Sequence, residues 1–251
     1  MQHQHGPRAR RLRRCALPMA FSMTMMAWGA IDFNKEITSA ANQMAWLPSD
    51  GGRTTSSRLI HTTAQCSVGS EDMTTPRTAY KLDQNHPGSD LAGETAAALA
   101  AASLAFKPYN SSYSNLLLSH AKQLFSFADD TIQNAKQFYT SSGYSASYHI
   151  TNDELLWAAA WLHRATGEDY YLKYVVDNAV YMGGTGCAVK EFSWDNKYAG
   201  VQVLLSKILL EGRGSQYAST LKQYQAKADY FACSCVQKND GYTTSRKPQE
   251  A

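Results

Sequence analysis

Residues 89–103 read Ser-Asp-Leu-Ala-Gly-Glu-Thr-Ala-Ala-Ala-Leu-Ala-Ala-Ala-Ser, and this stretch constrains the fold more than any other. Alanine is the strongest helix former, and side chains this small let neighbouring helices approach closely. A second segment, 153–162, is equally helical in composition, Asp-Glu-Leu-Leu-Trp-Ala-Ala-Ala-Trp-Leu. In it Asp153, Trp157 and Trp161 recur at i, i+4 and i+8 and share one face, while Leu155, Ala158, Ala159 and Leu162 lie on another. Further along, Leu117, Ala121, Leu124 and Phe127 form a helical stripe. The pattern predicts helices at 20–33, 90–106, 113–129, 153–166, 169–181, 196–211 and 216–232, with polar breaks between them. No strand pattern of comparable length competes, so the expectation is one all-α domain.

The candidate site is the stretch 192–201, Phe-Ser-Trp-Asp-Asn-Lys-Tyr-Ala-Gly-Val. It sets the Trp194 indole beside a carboxylate, an amide and an ammonium. Such an arrangement suits a sugar ring, whose axial hydrogens stack on an aromatic face while its hydroxyls need donors and acceptors. The same residues also suit a helix start, with Asp195 near the N-cap and Trp194 packed inside.

Read together, these segments resemble glycoside hydrolase family 9, the plant-type endo-β-1,4-glucanases or cellulases. The resemblance runs through Pro18-Met19-Ala20-Phe21, Ile31-Asp32-Phe33, Glu71-Asp72-Met73-Thr74-Thr75-Pro76-Arg77 and Tyr80-Lys81-Leu82-Asp83. It continues through 87–106, Phe125-Ser126-Phe127-Ala128-Asp129, Ser142-Gly143-Tyr144, 153–166 and 192–207. It implies an (α/α)6 barrel with a cleft at one end, of which the helices placed here make only part, an incomplete barrel. Apolar helix faces are then left open to water, at a cost of ~25 cal/mol per Å2. The resemblance carries over Trp194, Tyr144, Trp157 and Trp161 as stacking residues and Asp195 as a hydroxyl partner.

It also implies an inverting hydrolysis. One carboxylate activates a water and a second protonates the leaving oxygen, the two standing roughly 6.5–9.5 Å apart. In the family the base is an aspartate of an Asp-Ala-Gly-Asp motif just upstream of the block matching 17–20. In that register its two aspartates fall on Arg8 and Arg11, and a guanidinium accepts no proton. The family's acid, a C-terminal glutamate, has no counterpart here, so no catalytic residue is assigned. Gln65 to Gly69 replace the family's His and Trp, the span 130–142 is shortened, and 145–152 reads as an insertion.

Organisation follows: a basic leader at 1–17 unrelated to the family, a partial catalytic domain at 18–240, and a polar tail at 241–251. The leader and the apolar stretch after it imitate a signal peptide. Because 18–33 matches a barrel helix, a mature helix is preferred and no signal peptide is assigned. The 251 residues are 44% hydrophobic and 18% charged, with formal net charge +3, an ordinary globular balance. The arginines at 8–14 lack aromatic interleaving, which argues against nucleic acid. No other segment approaches the ~20 apolar residues of a membrane span. The odd set Cys15, Cys66, Cys187, Cys233 and Cys235 has no zinc spacing and fixes no disulfide. No metal and no cofactor are expected. The expected partner is β-1,4-glucan, and the chain a secreted, cell-wall monomer by resemblance.

Three functions stay open. One is a family-typical endoglucanase, inactive in this chain for want of both carboxylates. Another is a non-catalytic glucan-binding remnant, and the third a non-functional fragment.

Overall fold

The computed structural model describes residues 6–39, 82–84, 87–141, 152–186, 188–236 and 238, without the side chains of 6–15, 37–39 and 134–141. These form α1 (Gly6–Asp32), α2 (Asn34–Ser39), α3 (Ser89–Phe106), α4 (Ser111–Ser141), α5 (Asn152–Thr166), α6 (Asp169–Asp177), α7 (Tyr198–Leu210) and α8 (Ala218–Cys235), with a 3-10 turn at Ser215–Tyr217. No β-strand is present among the described residues, as the all-α expectation requires.

The alanine-rich segment becomes α3, buried from Ser89 to Ser103 without a break. It packs against α1, α4 and α5, and only side chains of this size leave room for three neighbours. Gly93 marks the closest approach: a Cβ there would lie 3.2 Å from the carbonyl oxygen of Glu154 on α5. The other inner helix is α5, buried on every side from Asn152 to His163. Its Leu155, Leu156 and Leu162 have no exposed surface, and each contributes about 1.5–3 kcal/mol by leaving water.

Three boundaries differ from the periodicity by four residues or more. The first helix was expected at 20–33 and begins at Gly6, running through Pro18. Ala16 and Leu17 pack on Leu91 of α3, so tertiary burial holds the turns ahead of the proline. In α4 the helix continues past 129 to Ser141. The third, α6, stops at Asp177 rather than 181, where Asn178 caps it with its main-chain N–H on the Tyr174 carbonyl. The chain then turns back through Gly183 at φ +79°.

That turn is tied to the start of α7. The Tyr198 hydroxyl donates to the Met182 carbonyl at 2.7 Å, and the Gln202 amide donates to the Gly184 carbonyl at 3.1 Å. An apolar groove lined by Met25, Trp28, Phe33, Phe192, Val203 and Phe231 lies beside α1, α7 and α8. Phe33 and Leu210 are exposed, in keeping with the open apolar faces expected of an incomplete ring. Cys233 and Cys235 are free and exposed; Cys66 and Cys187 lie outside the described residues.

Candidate functional site

Ahead of α7 the chain makes a short turn in which Ser193 and Asn196 exchange main-chain hydrogen bonds, at 3.1 and 3.3 Å. Trp194 and Asp195 form its tip and both face solvent, the tryptophan residue with 39% of its surface exposed. Asp195 is not the N-cap. That position belongs to Lys197, while the Asn196 side chain accepts the Tyr198 N–H at 3.3 Å. The Asp195 carboxylate instead accepts from the Ser193 hydroxyl at 2.6 Å. An exposed indole next to an exposed carboxylate is the arrangement a sugar ring needs, and Trp194 is not the core residue of the helix-start alternative.

The other two tryptophans are placed differently. Trp157 and Trp161 have no exposed surface. Their ring centroids lie 5.6 Å apart, and each meets Trp28 of α1, at 5.7 and 5.5 Å. Phe192 closes the cluster 5.9 Å from Trp157. These edge-on contacts are core packing. A stacking residue needs an open face, which neither side chain has, so both are corrected from candidate site residues to core. The shared face of Asp153, Trp157 and Trp161 is real but points into the interior. Tyr144 lies outside the described residues.

Lys197 is also displaced from its expected place. The sequence sets it among the polar groups around the indole, yet its side chain is wholly buried. Its Nζ lies 3.0 Å from Glu154 Oε1 and 3.3 Å from Glu94 Oε2, both carboxylates having no exposed surface. The ammonium also donates a hydrogen bond to the Trp194 carbonyl. The Lys197 main-chain N–H donates to Asp153 Oδ2 at 2.8 Å. So α3, α5 and the head of α7 meet in one buried charged cluster directly beneath the turn.

Burial governs its protonation. It pushes Glu94 up to about 7, against the pull of Lys197. Glu154 is raised well above the usual carboxylate range, by burial first and then by the neighbouring Asp153. Burial alone would lower Lys197, but Glu154 and Glu94 outweigh it and hold the ammonium above its ordinary value. Being sealed from solvent, these carboxylates reach no polymer. Sequence reasoning missed the cluster as a unit. Its one signal was a glutamate amid alanines and an Asp-Glu pair opening an otherwise apolar helix. Among the described residues no group of three His, Cys, Asp or Glu is arranged to hold a metal ion.

Comparison with known proteins agrees with this architecture. The model of glycosyl hydrolase family 9 matches residues 13–250. Endoglucanase 5 of Arabidopsis thaliana is 62% identical over 257 residues, covering 92% of this chain and 39% of that protein. Endoglucanase 13 of Oryza sativa subsp. japonica is 52% identical, covering 92% and 40%. Among solved structures, the endoglucanase of the termite Nasutitermes takasagoensis aligns with a TM-score of 0.63 at 37% identity, over 89% of this chain and 52% of that one. The solved relatives are (α/α)6 barrels, and α1–α8 correspond to part of one. The chain spans less than half the length of the two curated relatives.

Proposed function

The chain belongs to glycosyl hydrolase family 9, and we propose from this that it is part of an endoglucanase acting on internal β-1,4-glucosidic bonds of cellulose and related cell-wall glucans with inversion. Its own contribution, in this reading, is to bind the glucan at the Trp194–Asp195 turn. The observation that carries this is the placement of Trp194: of the described tryptophans carried over from the family, it alone is exposed, with an exposed carboxylate beside it.

The reading includes no hydrolysis by this chain as it stands. Counted back in the family's register, Arg8 and Arg11 stand where its base motif would fall, and neither accepts a proton. The carboxylates of Glu94, Asp153 and Glu154 are closed off from solvent and offer no substitute pair across an open cleft. The proposed ligand is a β-glucan, met by a monomer outside the cell at the wall. No helix among the described residues is long and apolar enough to cross a membrane.

One aromatic contact on an open surface, with few hydroxyl partners organised in advance, supports an affinity for cello-oligosaccharides of about millimolar. An NMR titration with cellohexaose tests this, run in parallel on the chain and on Trp194→Ala. Saturable shifts that disappear in the variant are expected. Equal binding by both proteins would remove Trp194 as the platform.

A further inference from the structure

We propose that Lys197 is the positioning residue for the Trp194 stacking face. Its buried ammonium, seated between Glu94 and Glu154, holds the Trp194 carbonyl and so fixes the direction in which the indole leaves the turn. The proposal deepens the glucan-binding reading above and rests on it.

The turn has little of its own to hold it. Two main-chain hydrogen bonds close it, and its tip is exposed at both Trp194 and Asp195. The orientation of a carbonyl is set by ψ of its own residue, so gripping the Trp194 oxygen fixes the backbone from which the indole projects. Lys197 supplies that grip from inside the protein, through Nζ to the Trp194 oxygen. Three residues on, its main-chain N–H is bound to Asp153 of α5 at 2.8 Å. The segment 194–197 is thereby fastened to the inner helices at both ends.

The ammonium donates to Glu154 and to one peptide oxygen and lies 3.3 Å from the Glu94 carboxylate as an ion pair. The carboxylates fix where Nζ sits, and Nζ fixes the carbonyl. An apolar side chain of the same volume would fill the space without directing anything. Stability alone is a poor reason for such a cluster, because replacing buried ion pairs by well-packed apolar groups is often neutral or stabilising. A directed bond to the binding turn gives the charge a use that packing cannot supply.

The test compares two variants. Lys197→Met alone strands two buried glutamates, a strongly destabilising change. The informative protein is therefore Lys197→Met/Glu94→Gln/Glu154→Gln, which removes the ammonium and both potential charges together. Its fold is checked by the indole N–H resonance of Trp28, which donates to Asp32 at 2.7 Å. With that resonance in place, the Trp194 indole resonance, identified by its absence in Trp194→Phe, is expected to shift and broaden. The cellohexaose Kd is expected to rise about fivefold or more as the platform loses its preorganisation. Adding Trp194→Ala to the triple variant should then cost less than the same substitution costs in the parent, the non-additivity of two residues acting through one contact.

A folded triple variant with an unchanged Trp194 resonance and unchanged Kd would overturn the proposal. Amide exchange of the unaltered chain tests it independently: the Asn196 and Lys197 amides should be protected, and exchange as fast as in an unstructured peptide would also overturn it. If Trp194→Ala binds cellohexaose as well as the parent, the glucan reading fails. The Trp194 resonance of the triple variant then decides the positioning role alone.

Discussion

Gly200 faces Trp157 so closely that a Cβ at Gly200 would stand 2.7 Å from Cζ3 of the indole, and 2.6 Å from Cε2 of Phe192. Trp157 therefore serves as the surface on which the first turn of α7 is seated. Its indole sets the position of α7 and, through Phe192, of the strip of chain leading into the Trp194 turn.

Gly200→Ala should accordingly destabilise the protein even though alanine favours a helix. Two aromatic rings would have to move in a packed interior, and such overpacking costs about 1–3 kcal/mol. That outweighs the roughly 1 kcal/mol that alanine gains over glycine in helix propensity. Urea denaturation followed by far-UV circular dichroism measures the balance. A midpoint at or above the parent's would show that the rings yield freely.

The tryptophans should separate cleanly by substitution. Trp157→Ala opens a cavity among Trp28, Trp161 and Phe192 and is expected to cost about 3–5 kcal/mol. Trp194→Ala, at an exposed turn tip, should stay within about 0.5 kcal/mol of the parent. Acrylamide quenching gives a second readout: substitution at 194 should remove a quencher-accessible part of the emission, and substitution at 157 should not. A large stability loss at 194 would place that indole in the core after all.

Hydrolysis of carboxymethyl cellulose by the 251-residue chain should remain at the level of a heat-killed control. General acid and base groups are worth roughly 10²–10⁴ each in rate, and in the register proposed above the family's base motif falls on Arg8 and Arg11. Reducing-end release clearly above the control would point to Asp195, the exposed acidic residue of the turn, as a replacement. Its substitution by asparagine would be the next measurement.

How far the sequence revealed this arrangement depended on the number of neighbours each helix has. The alanine run at 96–102 declared a closely packed helix, and α3 is one. The i, i+4, i+8 spacing of Asp153, Trp157 and Trp161 correctly grouped them on one face, but a helix buried on all sides has no solvent face for periodicity to reveal. The tryptophans of α5 consequently looked as available as Trp194. Lys197 was hidden for a related reason. One residue of a polar run, Trp-Asp-Asn-Lys, turns inward because two glutamates from helices 43 and 103 positions earlier in the chain wait there, a coincidence of tertiary structure with no local trace. The head of α1 shows the reverse case: Pro18 signals a break, and burial of Ala16 and Leu17 against Leu91 overrides it.

The buried glutamates give stability a definite pH dependence. Glu94 ordinarily titrates near 4.5 and is raised to about 7 in the folded chain, chiefly by burial. Below about 4.5 both folded and unfolded chains hold this proton, and the group contributes no pH dependence. Between 4.5 and 7 the folded chain binds more protons than the unfolded one, so stability falls as pH rises. The loss from this one group is on the order of 3 kcal/mol. Glu154 is also raised and adds to the fall. Asp32, lowered below 3.8, changes stability only on the acid side of this window, and the raised Lys197 loses its contribution only at strongly alkaline pH. Urea unfolding at about pH 5 and about pH 7.5 should therefore show the more stable protein at the lower pH. Glu94→Gln, which cannot titrate, should flatten that slope. Stability that rises across the interval would mean that Glu94 is ionised in the folded chain at pH values where its burial forbids it.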